Sequence, residues 1–296
     1  MKYFKLIALS VILIIVTSQT AVIALGDKFD PEKWEESIIK QRLEKDKEFK
    51  NSPVSPMAGL LRETINSNEK VYVYISDNNI KMSRKEIKSP LLTAYNNGTD
   101  WITSDKSERM SVRKKSGETF KLDRFTFKYY ISKNSFILII FDPERKMIKD
   151  FTHLLYYKPD IKYRVTAKLE KYKKIKKRVV KTSRDLEKTL IEYGKVKFKI
   201  DGKELSLTAF KFTTDKNDPN YKYLFLPFFD KTNMVDTYEA GRFLEVIEHE
   251  GKELIIDFNE CFNPLCNYSG VYNCTLPPFE NELNISIKAG EKTYPH

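Results

Sequence analysis

Val196-Lys-Phe-Lys-Ile-Asp-Gly-Lys-Glu-Leu-Ser-Leu207 is the stretch whose reading decides the fold. Val196, Phe198 and Ile200 alternate with lysines, Asp201-Gly202 follows, and Leu205 and Leu207 return. Side chains on a strand alternate between faces, and Asp-Gly supplies the positive φ angles that a two-residue hairpin turn needs. Such a turn sets Ile200 opposite Lys203, Phe198 opposite Leu205 and Val196 opposite Leu207, with the apolar residues on one face. Pattern and turn chemistry agree, so this region is predicted to be antiparallel β.

Working outward, Tyr223 to Phe229 is a second apolar strand that stops at Asp230-Lys231-Thr232. Arg242 to Glu248 and Lys252 to Asn259 read as a further hairpin around Glu250-Gly251. In that register Val246 faces Ile255, Leu244 faces Asp257 and Arg242 faces Asn259, so Arg242 and Asp257 are expected to form a diagonal charge pair. Upstream, Tyr163 to Leu169 is a strand followed by a basic run through Lys168, Lys171, Lys173, Lys174, Lys176, Lys177, Arg178 and Lys181. Two readings of the run stand: a strand whose Tyr172 and Ile175 dip toward the core, or a solvated loop. From Lys70 to Asp142 strands recur, with turns at Asp77-Asn78-Asn79, Asn96-Asn97-Gly98 and Ser116-Gly117. Phe125 to Ile131 and Phe136 to Phe141 pair across Ser132 to Ser135, and the continuously apolar Ile137 to Phe141 is a strand buried on both faces.

Before the strands, Asp30-Pro31 starts a helix, with Asp as cap and Pro at the first helical position. Phe29 and Trp34 are spaced as a hydrophobic staple. Trp34, Ile38, Ile39, Leu43 and Phe49 form a narrow stripe, which predicts an amphipathic surface helix on the domain that follows it. Prolines at 53 and 56 end it. Residues 1–26 carry Lys2 and Lys5 before an apolar segment, which reads as a signal peptide or as an uncleaved anchor long enough for a bilayer core of roughly 30 Å. Either places the remainder outside the cytoplasm.

The chain has 296 residues, 41% hydrophobic and 13% aromatic content, and a net charge of +11. This is a folded chain with room for two domains. The charge is carried by lysine more than arginine, with few interleaved aromatics, which points away from nucleic acid and toward a solvated or membrane-facing stripe. In an exported chain the sequons at Asn97, Asn267, Asn273 and Asn284 become glycan acceptors wherever the host glycosylates.

The C-terminal stretch from Asp257 to Lys292 is punctuated by Asn, Gly and Pro too often for a helix or central strand, and it holds the three cysteines, Cys261, Cys266 and Cys274. It reads as a fixed loop. Its motifs carry a resemblance. Phe151-x-His-Leu-Leu-Tyr-Tyr, Phe225-Leu-Pro-Phe-Phe-Asp-Lys-Thr, Thr237-Tyr-Glu-Ala-Gly-Arg-Phe-Leu, Asp257-Phe-Asn, Asn263-Pro-Leu-Cys, Cys274-Thr-Leu-Pro-Pro and Ala289-Gly-Glu-Lys resemble the family catalogued as domain of unknown function 1684. Weaker likeness extends to Trp34 and Ser55-Pro56. The resemblance implies no established activity. Cys261 stands where the family pattern has Ala and Thr275 where it has Pro, whereas Cys266 and Cys274 match it and are the natural pair. Export makes a disulfide the leading reading of that pair, with free thiols as the alternative. A zinc site from the three cysteines and His153 would have no recognised spacing, so no metal is predicted.

No Gly-x-Ser-x-Gly, phosphate loop or dinucleotide fingerprint occurs, and no cofactor is predicted. His153 is the one sensible base for a cysteine nucleophile, and beside Leu-Leu-Tyr-Tyr it reads as a packed residue. The chain is expected to be mainly β, with two β-sandwich or barrel-like modules behind an N-terminal signal or anchor helix and one amphipathic surface helix. The boundaries fall at 1–26, 27–56, 57–150 and 151–296. The leading function is a binding or cell-envelope-associated module, its partner a small polar ligand or an envelope component. Its polar site is placed at Arg242, Asn259, Asn263, Tyr238 and Asn281 around Asp257. The alternative is a hydrolase using Asp257, Asp230 or Glu291.

Overall fold

A computed structural model describes residues 29–132, 134–249 and 253–295. Residues 1–26, read as a signal or anchor, lie outside these. Among the described residues no helix is long and apolar enough to cross a membrane.

Helix α1 (Pro31–Asn51) starts and stops where its caps dictate. Asp30 Oδ1 accepts the N–H groups of Glu32 (3.1 Å) and Lys33 (3.3 Å), and the Phe29 and Trp34 rings lie 6.5 Å apart. Its inward stripe departs from the expected one. Ile39 and Leu43 are 44% and 56% exposed. Ile38 and Phe49 are buried, and Trp34, Arg42 and Lys45 complete their row at helical steps of three and four. Arg42 and Lys45 cover the row with their aliphatic stems and send their charged heads to partners.

The described residues form two compact units. One is Lys47–Phe151. The other contains the chain from Thr152 onward together with α1 as far as Asp46. Most of the helix therefore groups with the C-terminal half and not with the β region that follows it, which corrects the sequence expectation.

The N-terminal unit holds β1 (Gly59–Asn66), β2 (Lys70–Ser76), β3 (Asn79–Ser83), β4 (Leu92–Asn96), β5 (Trp101–Asp105), β6 (Met110–Arg113), β7 (Thr119–Leu122), β8 (Phe125–Ile131) and β9 (Ser135–Phe141), then the short α2 (Lys146–Asp150). One sheet runs β1-β9-β8-β7 and another β3-β2-β4-β5-β6. The expected pairing of β8 with β9 is present, with Ile131 opposite Phe136. Asp77 and Asn78, both at positive φ, turn β2 into β3. Both sheets feed one core: Val71, Val73, Ala94 and Trp101 from one, Ile65, Phe127, Leu138 and Ile140 from the other. Central β9 is buried on both faces, as its unbroken apolar run requires.

The C-terminal unit is built on β10 (Arg164–Lys181), β11 (Glu187–Ile200), β12 (Lys203–Lys211), β13 (Tyr223–Asp230), β14 (Arg242–Ile247) and β15 (Leu254–Asp257), in the order β14-β13-β12-β11-β10-β15, with β16 (Glu282–Leu283) added parallel to β13. The β11–β12 register is the one read from sequence: Ile200 opposite Lys203, Phe198 opposite Leu205, Val196 opposite Leu207. All six strands on the path send side chains into a single core, so the sheet curls toward a barrel. Phe258 sits inside it against Phe198 and Phe228, at 5.5 and 5.4 Å between ring centroids. A second cluster, Val180, Leu190, Phe210, Phe225 and Phe243, covers the outer face.

The expected hairpin between β14 and β15 does not form. β14 pairs with β13, and β15 crosses to the far edge and pairs with β10, setting Arg164 opposite Asp257. The linker from Glu248 to Glu253 is longer than a two-residue turn, and its residues 250–252 lie outside those described. Sequence adjacency favours pairing only as a tendency. Here the apolar β13 needs a second neighbour and takes β14. The basic run is a strand, but Ile175 is 52% exposed and does not dip into the core.

Candidate functional site: the polar clamp of the C-terminal segment

Arg242 opens β14 beside Phe228 of β13, and its side chain is completely buried. Its Nη2 donates to Asp230 Oδ1 at 3.1 Å, to Thr232 Oγ1 at 3.3 Å and to the Ile287 carbonyl at 2.8 Å. Its Nη1 donates to the carbonyls of Ala289 and Glu291. Asp230 Oδ2 in turn accepts the Ile287 N–H at 2.6 Å. One ion pair thus bolts residues 287–291 to the sheet. A buried pair recovers its desolvation cost only when its hydrogen bonds are nearly complete, and here both partners reach backbone groups that would otherwise be orphaned.

Glu291 is the next node. It pairs with Lys45 of α1, and its Oε2 accepts the Asn263 N–H and the Tyr268 hydroxyl, each at 2.7 Å. Asn263 Nδ2 donates to the Lys292 carbonyl at 2.8 Å. Burial beside Glu291 pushes the Tyr268 phenol well above its ordinary value. Gly290, at φ +74°, leaves no room for a side chain: a Cβ would stand 2.3 Å from Cys261 Sγ and 2.6 Å from the Cys261 carbonyl.

Asp257 is the third node. Trp34 Nε1 donates to its Oδ2 at 2.6 Å, the Asn259 N–H and Nδ2 reach its Oδ1 at 2.9 and 2.8 Å, and Arg164 Nε lies 3.8 Å away. Burial raises the carboxyl above its ordinary value against the pull of these donors. Asn259 also holds Asp160 by N–H and carbonyl (2.9 and 3.0 Å), while Arg42 donates to the carbonyls of Tyr157 and Asn259. Asn281 cross-links strands: its amide donates to the carbonyls of Thr208 (3.0 Å) and Pro227 (2.7 Å) and accepts the Thr208 N–H (2.7 Å).

A family described as "Protein of unknown function (DUF1684)" matches residues 149–292. The chain belongs to this family. The match covers the whole C-terminal sheet and the clamp apart from its α1 partners Trp34, Arg42 and Lys45, so the preceding β unit is an extra N-terminal region relative to the DUF1684 segment. The solution NMR structure of an uncharacterized protein from Haloarcula marismortui is 33% identical, over 49% of this chain and 78% of that one, with a TM-score of 0.41. No curated protein matches the chain.

Within the DUF1684 segment the candidate residues fall into place as follows. Asp230 and Arg242 share the first node, Glu291 and Asn263 the second, Asp257 and Asn259 the third, and Asn281 stands on the strands. The expected Arg242–Asp257 pair is replaced by Arg242–Asp230 and Arg164–Asp257, because β15 crosses to the other edge of the sheet. Tyr238 joins none of these nodes; its carbonyl accepts Asn233 Nδ2 at 2.6 Å. Sequence reasoning missed Arg42, Lys45 and Arg164. The first two are helix-spaced with Trp34 and Ile38, a signal visible only when basic residues are admitted to a buried stripe.

Cys266 and Cys274 are free thiols in this structure. The Cys266 N–H donates to Cys274 Sγ at 3.1 Å. The loop is held by other means. Ser183 N–H donates to the Cys274 carbonyl at 2.8 Å, Leu276 N–H to the Lys181 carbonyl at 3.0 Å, and Thr182 bridges Thr275. Its shape does not require a covalent clasp. Cys261 is buried with its thiol donating to the Ala289 carbonyl at 3.5 Å, and burial raises it to about 11. Among the described residues no group of three or more His, Cys, Asp or Glu could hold a metal ion. Asn267 is fully buried, so its sequon is closed to a glycan in the folded chain, whereas Asn97 and Asn284 are exposed.

Proposed function

We propose that the protein is an exported module of the cell envelope that binds an anionic membrane surface, with its first 26 residues as leader or anchor. The observation that carries this reading is the hairpin of β10 and β11. Between Lys171 and Lys176 its register shifts, leaving Tyr172 to Ile175 out of the paired register opposite Tyr193. Lys171, Arg178 and Lys197 are balanced by Glu248, Glu280 and Glu170. Lys173, Lys174, Lys176 and Lys177 are exposed and have no acidic partner within ion-pair distance among the described residues. Exposed Ile175 and Val179 stand among them. Clustered lysines near an anionic leaflet contribute about 1 kcal/mol each, and interleaved aliphatics add apolar contact.

The polar cluster supports binding over hydrolysis. General acid–base chemistry needs a carboxyl free to exchange a proton with a substrate. Asp230, Asp257 and Glu291 are each engaged by several donors and serve to fix the C-terminal segment. The test is co-sedimentation of the full chain with vesicles of anionic phospholipid and with vesicles of neutral phosphatidylcholine. Binding to the anionic vesicles alone, weakened by salt and lost when Lys173, Lys174, Lys176 and Lys177 are changed to Glu, is the expected result. Equal binding to neutral vesicles, or none to either, removes the proposal.

A further inference from the structure

Resting on the anionic-surface reading above, we propose that Phe279 is the apolar peg of that surface. Its ring enters the interfacial layer of the bilayer while the lysines of β10 hold the headgroups. Phe279 is 90% exposed. A single exposed apolar residue is ordinary, but this one is held out by a chain pinned on both sides. Before it, the Leu276 N–H donates to the Lys181 carbonyl at 3.0 Å. Pro277 is buried against Gly241, where a Cβ would stand 2.7 Å from the Pro277 Cγ. After it, Asn281 is fully buried on the carbonyls of Thr208 and Pro227, and its N–H closes the turn onto the Pro278 carbonyl at 2.9 Å. Pro277 and Pro278 fix φ on the way in, so the backbone that carries the ring is set.

The place of Phe279 in the sheet gives the partner. Glu280, the next residue, is gripped by both terminal nitrogens of Arg178, with Nη2 3.1 Å from Oε2. Side chains alternate along a strand, so Lys176 and Arg178, set opposite Glu192 and Leu190, point to the same side. Phe279 therefore stands beside the Lys176–Arg178 face of the basic hairpin. Arg178 also lies 3.5 Å from Glu192 and so takes up both acids. Glu282, exposed two residues on, is outnumbered by Lys173, Lys174, Lys176 and Lys177.

An aromatic ring flanked by lysines matches a bilayer interface, where apolar side chains sit beneath anionic headgroups. Because the ring is already held out, little ordering entropy is lost when it inserts. Met234 and Val235, 82% and 80% exposed, supply a contrast on the same unit. Phe225, near the start of β13, is level with Phe210 and Glu192 and hence with the basic hairpin, whereas Met234 follows the other end of β13. Equal exposure at that end has no lysine stripe beside it, so it serves as the control.

The test partitions the full chain onto vesicles of phosphatidylcholine mixed with phosphatidylglycerol. Phe279→Ala should weaken partition about tenfold, the low end of what burying a phenylalanine is worth, with an unchanged thermal melt because the ring faces solvent. Met234→Ala should bind as wild type does. The Phe279→Ala deficit should stay the same factor as salt rises, since salt screens the lysines and not the ring. Emission of Phe279→Trp should shift to the blue on these vesicles and be quenched by lipids brominated on the acyl chains, beyond the wild-type baseline of Trp34 and Trp101. Wild type that does not bind removes the surface reading and the peg together. Wild type that binds while Phe279→Ala binds equally, or while Phe279→Trp stays unshifted, overturns the peg and leaves the surface reading standing. An equal loss in Met234→Ala also overturns it, as general stickiness. So does a lipid-free wild-type dimer that Phe279→Ala dissolves, since the ring then belongs to a protein contact.

Discussion

Trp34 Nε1 donates a hydrogen bond to Asp257 Oδ2 at 2.6 Å, joining positions 223 residues apart. It ties the start of α1 to the end of β15, where the chain leaves the sheet to form the C-terminal segment. Arg42 and Lys45 repeat the connection about two and three turns along, at Asn259 and Glu291. The helix is thus part of the C-terminal scaffold. Trp34→Phe keeps the ring and removes the donor, leaving a buried carboxylate short of one charge-assisted bond. The expected loss is about 1.5–3 kcal/mol in urea unfolding at neutral pH. A change below about 0.5 kcal/mol would show that water replaces the indole.

The Arg242–Asp230 pair predicts an asymmetric mutational response. Arg242→Met leaves Asp230 buried without its cation and should destabilise by about 3–5 kcal/mol. Changing Asp230→Leu in the same chain should recover part of that loss, because the uncompensated charge goes while the orphaned carbonyls of Ile287 and Ala289 remain. Thermal melts of wild type, both single variants and the double variant measure the coupling. Additive losses would show that the pair acts as two independent contacts.

Glu245 gives a pH signature. It lies opposite Phe225 on the face of β14 that carries Phe243, and burial pushes its carboxyl up to about 7. Glu260, buried beside Asp257, is likewise raised to about 7. Across the interval from the ordinary glutamate value of about 4.3 up to 7 the native state keeps a proton that the unfolded chain has released, so stability falls as pH rises through that window. Glu245→Gln should remove its share of the slope and be more stable than wild type at pH 8, by on the order of 2 kcal/mol. Urea midpoints at pH 4.5, 6 and 8 test this, and a variant that tracks wild type at all three defeats it.

Gly290→Ala should be among the most damaging single-methyl changes in the chain. A Cβ there meets Cys261 Sγ and two backbone carbonyls, of Cys261 and Phe258, at a left-handed φ. Strain of about 1–2 kcal/mol from the backbone and about 1–3 kcal/mol from overpacking should add. Adding Cys261→Ala should recover only a fraction, because the carbonyls stay where they are. Full recovery in the double variant would place all of the clash on the sulfur.

The sequence alone determined what depends on local chemistry. The Asp201-Gly202 turn forced the β11–β12 register, Asp30-Pro31 set the helix start, the apolar run of β9 required burial on both faces, and the motifs at Asp257-Phe-Asn and Ala289-Gly-Glu-Lys marked the C-terminal segment as one fixed piece. The turn, the helix start and the β9 run are each decided by residues within a dozen positions of one another, where turn geometry and side-chain period leave one solution.

Tertiary structure alone decided the rest. Whether β15 pairs with β14 or with β10, whether Arg242 meets Asp257 or Asp230, and which unit α1 joins are choices among partners that local propensity treats alike. They are settled by which arrangement buries the apolar faces while pairing the buried charges with partners of opposite sign or with backbone groups. Arg42 and Lys45 illustrate the difference. By residue type they read as solvent residues, and only the carbonyls of Tyr157 and Asn259 and the carboxylate of Glu291 make burying them favourable. Cys266 and Cys274 are the complementary case. The family pattern marked them as a pair, but Ser183, whose hydroxyl accepts the Cys274 N–H and whose N–H donates to the Cys274 carbonyl, arrives from far away in the chain.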